Sequence, residues 1–469
     1  MNRYLTTTLP YVNADPHIGF ALEIVQADAL ARSWRLNGDE VFFTTGTDEH
    51  GQKILQRATE SGEDVQTYAG RYAAEFEKLK RALGLSYDAF IRTTDPRHIA
   101  AAQELWKRCA DAGDIYKKAY TGLYCVSDEM FVKESELVNG RCPNHPDKEL
   151  VEITEENYFF KFSAYQEKLL QYLSREDVII PDWRRQEAIN FVQGGLEDFS
   201  ISREKARMSW GVPVPGDDSQ VMYVWFDALT NYISTLGWPE DPVGNFKKFW
   251  IDGATLQVAG KDQVRFQSLI WQAMLMSADI KNTDQVFYHG FINSGGQKMS
   301  KSIGNVISPY ELVEKYGTDA TRYILLRHIH PTEDTDVTWE RLDEWYTANL
   351  VNGIGNLVAR VMTLAERNLP APIEVPNTEA VSLDGFEFNE AMNQIWHEIG
   401  VIDGIMTREE PYKLVKTDPE SGQKIIAQCA EQIAVIATQL TPFMPHTSEQ
   451  ILAAIRENKK PENLFPRLA

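Results

Sequence analysis

The chain has 469 residues, a formal net charge of −21, 43% hydrophobic and 25% charged residues, and four cysteines, Cys109, Cys125, Cys142 and Cys429. That length implies two to four domains, the composition is that of a soluble globular protein, and no apolar run approaches the ~20 residues of a membrane helix. The acidic balance excludes a generally basic nucleic-acid binder, leaving only local clusters such as Arg184 with Arg185 or Lys298 with Lys301. The few cysteines and the start MNRYLTTTLP, which lacks a basic segment followed by an apolar one, point to the reducing cytoplasm.

In chain order, residues 3–9 (RYLTTTL) read as a strand. Residues 17–38 read as a helix, with Ile18, Leu22, Val25, Ala29 and Trp34 near helical spacing and Gly38 ending it. Residues 40–46 (EVFFTTG) read as a second strand. This β–α–β unit predicts an α/β fold with a parallel sheet. From about 115 to 210 the texture changes to short strand-like pieces (GLYCV, MFV, NYFFKF) around the turn-rich NGRCPNHPDKE, which predicts a small inserted domain. Buried strands are then expected at VMYVWFDAL, TLQVAG and QVFYHGFI, the last two separated by a helix over 263–278. After about residue 304 the chain reads as mostly helical. One helix there places Leu350, Ile354, Leu357, Val361 and Leu364 on one face and ends at Pro370; more helices follow from 387.

Four motifs fall at the carboxyl ends of predicted strands, where an open parallel sheet binds ligands. They are LPYVNADPHIGF, TGTDEHG, VAGKD and GFINSGGQKMSKSIGN. In the first, His17 and Gly19 stand where a helix begins. Unpaired N–H groups and the helix dipole favour an anion there, and an imidazole can donate to charge developing on phosphate. A lone P-x-H-x-G is more often a simple turn. The fourth adds Lys298 and Lys301 among small residues, a pattern suited to clamping phosphate.

HIG together with KMSKS resembles the signature of class I aminoacyl-tRNA synthetases. Within that class the chain resembles the methionyl-tRNA synthetases along essentially its whole length. The carrying segments are TTTLPYVNADPHIG, TGTDEHGQKI, LYCVSDEMFV with GRCPNHP, NYFFKFSAYQEKLL, VMYVWFDALTNYI, GKDQVRFQSLIWQAML and GQKMSKSIGNVISPYELVEKYGTDATRY. The resemblance implies a Rossmann-type, doubly wound catalytic domain in two halves, 1–114 and 211–303. A connective insert with a knuckle would occupy 115–210, a linker 304–345 and an all-α anticodon-binding bundle 346–469. It implies ATP-dependent activation of L-methionine to methionyl-adenylate and transfer to the 3′ end of tRNA(Met), by a monomer without a tail domain, with Mg²⁺ assisting.

The same resemblance assigns roles to residues. His17, Lys298 and Lys301 are the catalytic groups, and Gly19, Met299, Ser300 and Ser302 join them at ATP. Leu9, Tyr11, Asp48, Trp225, Ala228, Tyr232, Gln263, Gln267 and Trp271 line the methionine pocket, with Asp48 on the ammonium. Asn352, Asn356 and Arg360, spaced four apart, read the CAU anticodon; Asn and Arg suit the edges of unstacked bases. Four positions depart from the family pattern. Phe20 stands in place of the second histidine of the HIGH motif. Gln263 and Gln267 replace an apolar pocket residue and a histidine, and Gln267 can still offer a hydrogen bond to sulfur or to Tyr232. Cys125, Asp128, Cys142 and His145 have knuckle spacing, but Asp128 stands where zinc-bearing members have cysteine, so zinc stays open. The rival readings are a non-catalytic tRNA-binding paralogue, a compact cysteinyl enzyme and a cofactor-forming adenylyltransferase.

Overall fold

The computed structural model describes residues 1–127, 130–132, 136–143, 145–299 and 305–468. The chain folds into two compact units. One comprises residues 1–15, 42–78 and 87–288, the other 16–41, 79–86 and 289–469.

The strands that lie wholly or mostly in the first unit are, in chain order, β1 (Asn2–Thr7), β2 (Glu40–Thr47), β3 (Ala89–Arg92), β4 (Ile115–Cys125), β5 (Met130–Val132), β6 (Val151–Phe160), β7 (Ile179–Ile180), β8 (Phe199–Ser200), β9 (Ser202–Glu204), β10 (Pro213–Val214), β11 (Asp217–Met222), β12 (Ala254–Gly260) and β13 (Gln285–His289). A six-stranded sheet runs in the order β3-β2-β1-β12-β13-β7, with β1–β12, β2–β3 and β13–β7 parallel. The strand order reverses between β1 and β12, which makes their carboxyl ends the switch point where such sheets bind ligands. β2 and β3 approach so closely that a Cβ at Gly46 would lie 1.9 Å from the Ile91 carbonyl oxygen. Only glycine fits there.

Between β3 and β12 lies a four-stranded antiparallel sheet, β5-β4-β6-β8, in the region expected as an insert. β7, also from that region, instead adds an edge to the parallel sheet. The stretch VMYVWFDAL is not the single buried strand expected. Val221 and Met222 end β11, which pairs antiparallel with β9 and β10, and Val224–Leu229 is a helix. A short continuous apolar run fits a buried helix as well as a strand, and periodicity cannot separate them. The helix expected over 263–278 is wound in pieces: a 3₁₀ turn at Lys261–Gln263, a wide π turn at Phe266–Ile270 and an α-helix at Trp271–Ser277.

The second unit carries the helix Ile18–Leu36, buried on nearly all sides, and the helices Phe388–Arg408, Pro419–Leu440 and Pro445–Glu457. Asp28 of the first of these is fully buried and pairs with Arg32 and Arg322 at 2.7 Å each. A small sheet, β15 (Gln297–Lys298), β14 (Ile292–Ser294) and β16 (Thr335–Val337), completes it. The helix expected to end at Pro370 has two parts, a π-wound segment Tyr346–Gly355 and an α-helix Asn356–Asn368, with a kink at Gly353 inside the first. Leu350, Ile354, Leu357 and Val361 are buried as expected; Leu364 is only half-buried, and Val358, Met362 and Ala365 join the buried face instead.

Candidate active site

At the switch point the chain stays stitched beyond the ends of β1 and β2. Asp48 N–H donates to the Pro10 carbonyl (3.0 Å), Val12 N–H donates to the Asp48 carbonyl (3.2 Å), and Tyr11 and Asp48 form a parallel bridge. Asp48 itself is buried, 6% exposed. The next carboxylate, Glu49, is fully engaged by Arg92 Nε and Nη2 (2.6 and 2.9 Å) and the hydroxyls of Thr47 and Thr94 (2.8 and 2.6 Å). Such bidentate guanidinium pairing fixes direction as well as charge.

An aromatic wall stands in the same unit. Trp225 stacks on Phe266 with centroids 3.9 Å apart, and Tyr232 lies 5.7 Å from Trp271. Gln267 Nε2 donates to the Tyr232 hydroxyl (2.5 Å), one of the two bonds the sequence allowed it. The buried Gln267 Oε1 and Trp271 Nε1 have no hydrogen-bond partner among the described residues. An indole N–H and an amide oxygen thus remain for a ligand or water. Gln263 is half-buried and donates to Asp262 (3.1 Å). Leu9 and Tyr11 are half-buried, and Ala228 is buried.

Three residues that the sequence reading missed join these walls. Asp227, between Trp225 and Ala228, is fully buried. Its carboxylate accepts from His50 Nδ1 (2.7 Å) and His98 Nε2 (2.8 Å), and His98 Nδ1 meets Ser234 Oγ at 2.9 Å. Burial pushes the Asp227 carboxyl up, but His50 and His98 outweigh it and hold it below its ordinary value. His50 also packs edge-on against Trp210, whose Nε1 donates to the Glu49 carbonyl (2.6 Å). No local sequence signal announces this cluster, because its members lie 129 and 177 residues apart.

In the second unit His17 caps the helix Ile18–Leu36 and is exposed. Its Nδ1 accepts from Gly19 N–H (3.1 Å), so a neutral ring carries its proton on Nε2. A Cβ at Gly19 would lie 3.0 Å from that ring, so this glycine makes room for the imidazole. Phe20 is buried, 8% exposed. The first helical N–H, at Ile18, donates to the Ile307 carbonyl (3.1 Å), and no acidic residue occupies the first turn. Gly295 and Gly296, both at positive φ, turn the β14–β15 hairpin that leads to Met299. The Asp336 carboxylate accepts from Gly296 N–H (2.6 Å), and Asn305 Nδ2 donates to the Ser294 carbonyl (3.3 Å). The Lys298 side chain and Ser300, Lys301 and Ser302 lie outside the described residues.

The family model described as tRNA synthetases class I (M) matches residues 3–152 and 146–362. The methionine–tRNA ligase of Rhizobium meliloti is 42% identical, over 96% of this chain and 90% of its own length. The chain belongs to the methionyl family of class I tRNA synthetases. The methionine–tRNA ligase of Mycobacterium leprae is 40% identical over 96% of this chain and 88% of its own. The structure of Mycobacterium tuberculosis methionyl-tRNA synthetase in complex with methionyl-adenylate matches at a TM-score of 0.91 and 35% identity, covering 99% of this chain and 100% of that one. The expected α/β class I synthetase fold is therefore present, followed by helices. Among the described residues no helix is long and apolar enough to cross a membrane.

Asn352 and Asn356 are exposed and Arg360 is half-buried, paired with Asp403 at 2.6 Å. Asn356 and Arg360 share a face of one α-helix, whereas Asn352 sits in the π-wound segment before it. The ligand atoms of Cys125, Cys142 and His145 lie within 4.8 Å of one another, no disulfide joins the cysteines, and both are buried. Asp128 lies outside the described residues.

Proposed function

We propose that this chain activates L-methionine with ATP, releasing pyrophosphate, and transfers the methionyl group from the adenylate to the 3′ end of tRNA(Met) for translation. The observation that carries the reading is the buried Asp48, stitched to Tyr11 at the switch point, in a unit that also holds the Trp225–Phe266 stack and the Tyr232–Trp271 pair. A carboxylate held in place binds an ammonium through a charge-assisted hydrogen bond. Aromatic faces suit a thioether, and the indole N–H of Trp271 can donate to its sulfur. Glu49, already engaged by Arg92, leaves the ammonium to Asp48.

The nucleotide contacts follow from the second unit. With its proton on Nε2, His17 donates to phosphate rather than accepting a proton from the amino acid. Lys298 and Lys301 add positive charge, with Met299, Ser300, Ser302 and Gly19 shaping the contact and Mg²⁺ arriving with ATP. No general base is needed, because the methionine carboxylate is already the nucleophile and the step rests on alignment and charge stabilisation. The buried Phe20 supplies no second donor. Phe20→His is expected to change adenylation only modestly.

Asn352, Asn356 and Arg360 meet the anticodon; the Asp403 pair orients the Arg360 guanidinium. Zinc suits the donor set that the knuckle brings together. We assign Cys125, Cys142 and His145 as ligands, with Asp128 as the fourth that the knuckle spacing supplies, in a structural role in the insert. The catalytic halves are 1–114 and 211–303, the insert 115–210, the linker 304–345 and the anticodon-binding bundle 346–469, in a cytoplasmic monomer. Two experiments test this reading. ATP–pyrophosphate exchange with each of the twenty amino acids should respond to methionine most strongly; a stronger response to another amino acid overturns it. Metal analysis of the purified protein should find one zinc per chain, and Cys125→Ser should lose it; zinc-free protein overturns the knuckle assignment.

A further inference from the structure

We propose that Asp227 is a positioning residue for methionine binding: with His50 and His98 it forms a buried clamp that sets the Asp48 carboxylate against the Trp225–Ala228 wall. The inference rests on the pocket assignment above and adds to it a group that touches no substrate.

The clamp joins segments that local structure leaves independent. His50 lies two residues beyond Asp48, and Glu49 between them is held by Arg92, so displacement of His50 is passed to Asp48 through a short, constrained backbone. On the other side, Asp227 lies within the helix Val224–Leu229, two residues after Trp225 and one before Ala228. His98, on the helix Pro96–Asp111, carries the connection to Ser234, two residues beyond Tyr232. One carboxylate therefore ties together the ammonium side and both aromatic segments of the pocket.

The hydrogen bonds have fixed senses. An ionised carboxylate only accepts, so His50 donates through Nδ1 and His98 through Nε2. In neutral His98, Nδ1 then accepts from Ser234 Oγ, which fixes ring and tautomer together. Buried charge clusters of this kind add little stability compared with apolar packing of the same volume. What this one supplies is direction: each carboxylate oxygen has one imidazole partner, at 2.7 and 2.8 Å.

The test is methionine-dependent ATP–pyrophosphate exchange with Asp227→Asn, which keeps shape and loses charge and one acceptor. The methionine KM should rise by about tenfold or more, as when the partner that orients a binding group is removed. The ATP KM should stay within about twofold of wild type. His98→Gln and His50→Asn give second readings that leave the carboxylate in place. His50→Asn keeps a donor near the Nδ1 position and should restore most of the affinity lost in His50→Leu. Asp48→Asn is the control for the pocket itself. A methionine KM unmoved in Asp48→Asn overturns the pocket assignment and the clamp with it. A KM raised by Asp48→Asn but unmoved by Asp227→Asn and His50→Leu overturns the clamp alone. Equal rises in both KM values for Asp227→Asn would also overturn it, since they would mark general loosening.

Discussion

Asp28 and Asp227 are both fully buried aspartates held below their ordinary pKa by basic partners that outweigh burial, yet they do different work. Asp28 meets two arginines and Ser86, whose N–H and hydroxyl donate at 2.6 and 2.7 Å. Arg322 also donates to the carbonyls of Leu83, Pro442 and Phe443 (3.1, 2.9 and 2.8 Å). A guanidinium cannot be discharged and offers five donors, so it braces several segments at once. Asp227 meets two imidazoles, each with one donor toward it, and the second nitrogen of His98 is committed to Ser234. A permanent cation braces; a tautomer-fixed imidazole aims. The contrast separates a group that holds the helix behind His17 from one that points Asp48.

The largest expected effect comes from breaking the brace. Arg322→Ala leaves Asp28 with Arg32 and Ser86, but it opens a cavity and strips the carbonyls of Leu83, Pro442 and Phe443 of their donor; it should lower the unfolding free energy by about 3–5 kcal/mol in urea denaturation, while the folded enzyme keeps its methionine KM. Wild-type stability would show that Arg322 braces nothing. Next, His17→Ala should slow pyrophosphate exchange about 10²-fold, the scale of losing a donor to transition-state charge, again with methionine KM unchanged. A rise in methionine KM instead would merge the roles that the comparison separates.

A smaller effect tests titration away from both aspartates. Burial, and then Arg327, hold His328 down from 6.5 to about 3, where it stacks on Trp345 with centroids 4.2 Å apart. The unfolded chain therefore binds a proton that the native state refuses as pH falls below about 6.5. Stability from this residue is complete above that value and declines toward about pH 3. His328→Phe keeps a ring on Trp345 and should flatten the slope of urea midpoint against pH between about 4 and 6.5; an unchanged slope would assign it to other groups. The smallest effect is expected from Gly19→Ala, where the imidazole must yield a few tenths of an ångström to the new Cβ. Exchange should fall by only a few-fold. A loss as large as that of His17→Ala would mean that phosphate approaches this backbone directly.

Much of the fold was legible because periodicity is local. The strand–helix–strand start, the knuckle strands and the C-terminal helices all follow from apolar spacing and turn residues. VMYVWFDAL failed because a continuous apolar run has no period to read. The roles of Gly46 and Gly19 were hidden for another reason. Each makes room for a neighbour, the Ile91 carbonyl or the His17 ring, that only the folded chain puts in place. The four strand-end motifs were visible as motifs, but the His50–Asp227–His98 cluster was not. TDEH, WFDA and PRHIA each contain one of its three members without any sign that they meet. Gln267 lay between: its chemistry allowed the bond to Tyr232, and the fold made it.

The central claim is that this chain forms methionyl-adenylate in a pocket built on Asp48. A single-turnover reaction with excess enzyme, ATP and methionine tests it most directly. The wild type should convert bound methionine to adenylate with matching pyrophosphate release, and Asp48→Asn should need far higher methionine to reach the same rate. Wild-type enzyme that releases no methionine-dependent pyrophosphate, or an Asp48→Asn variant saturating at the same methionine concentration, would contradict the account.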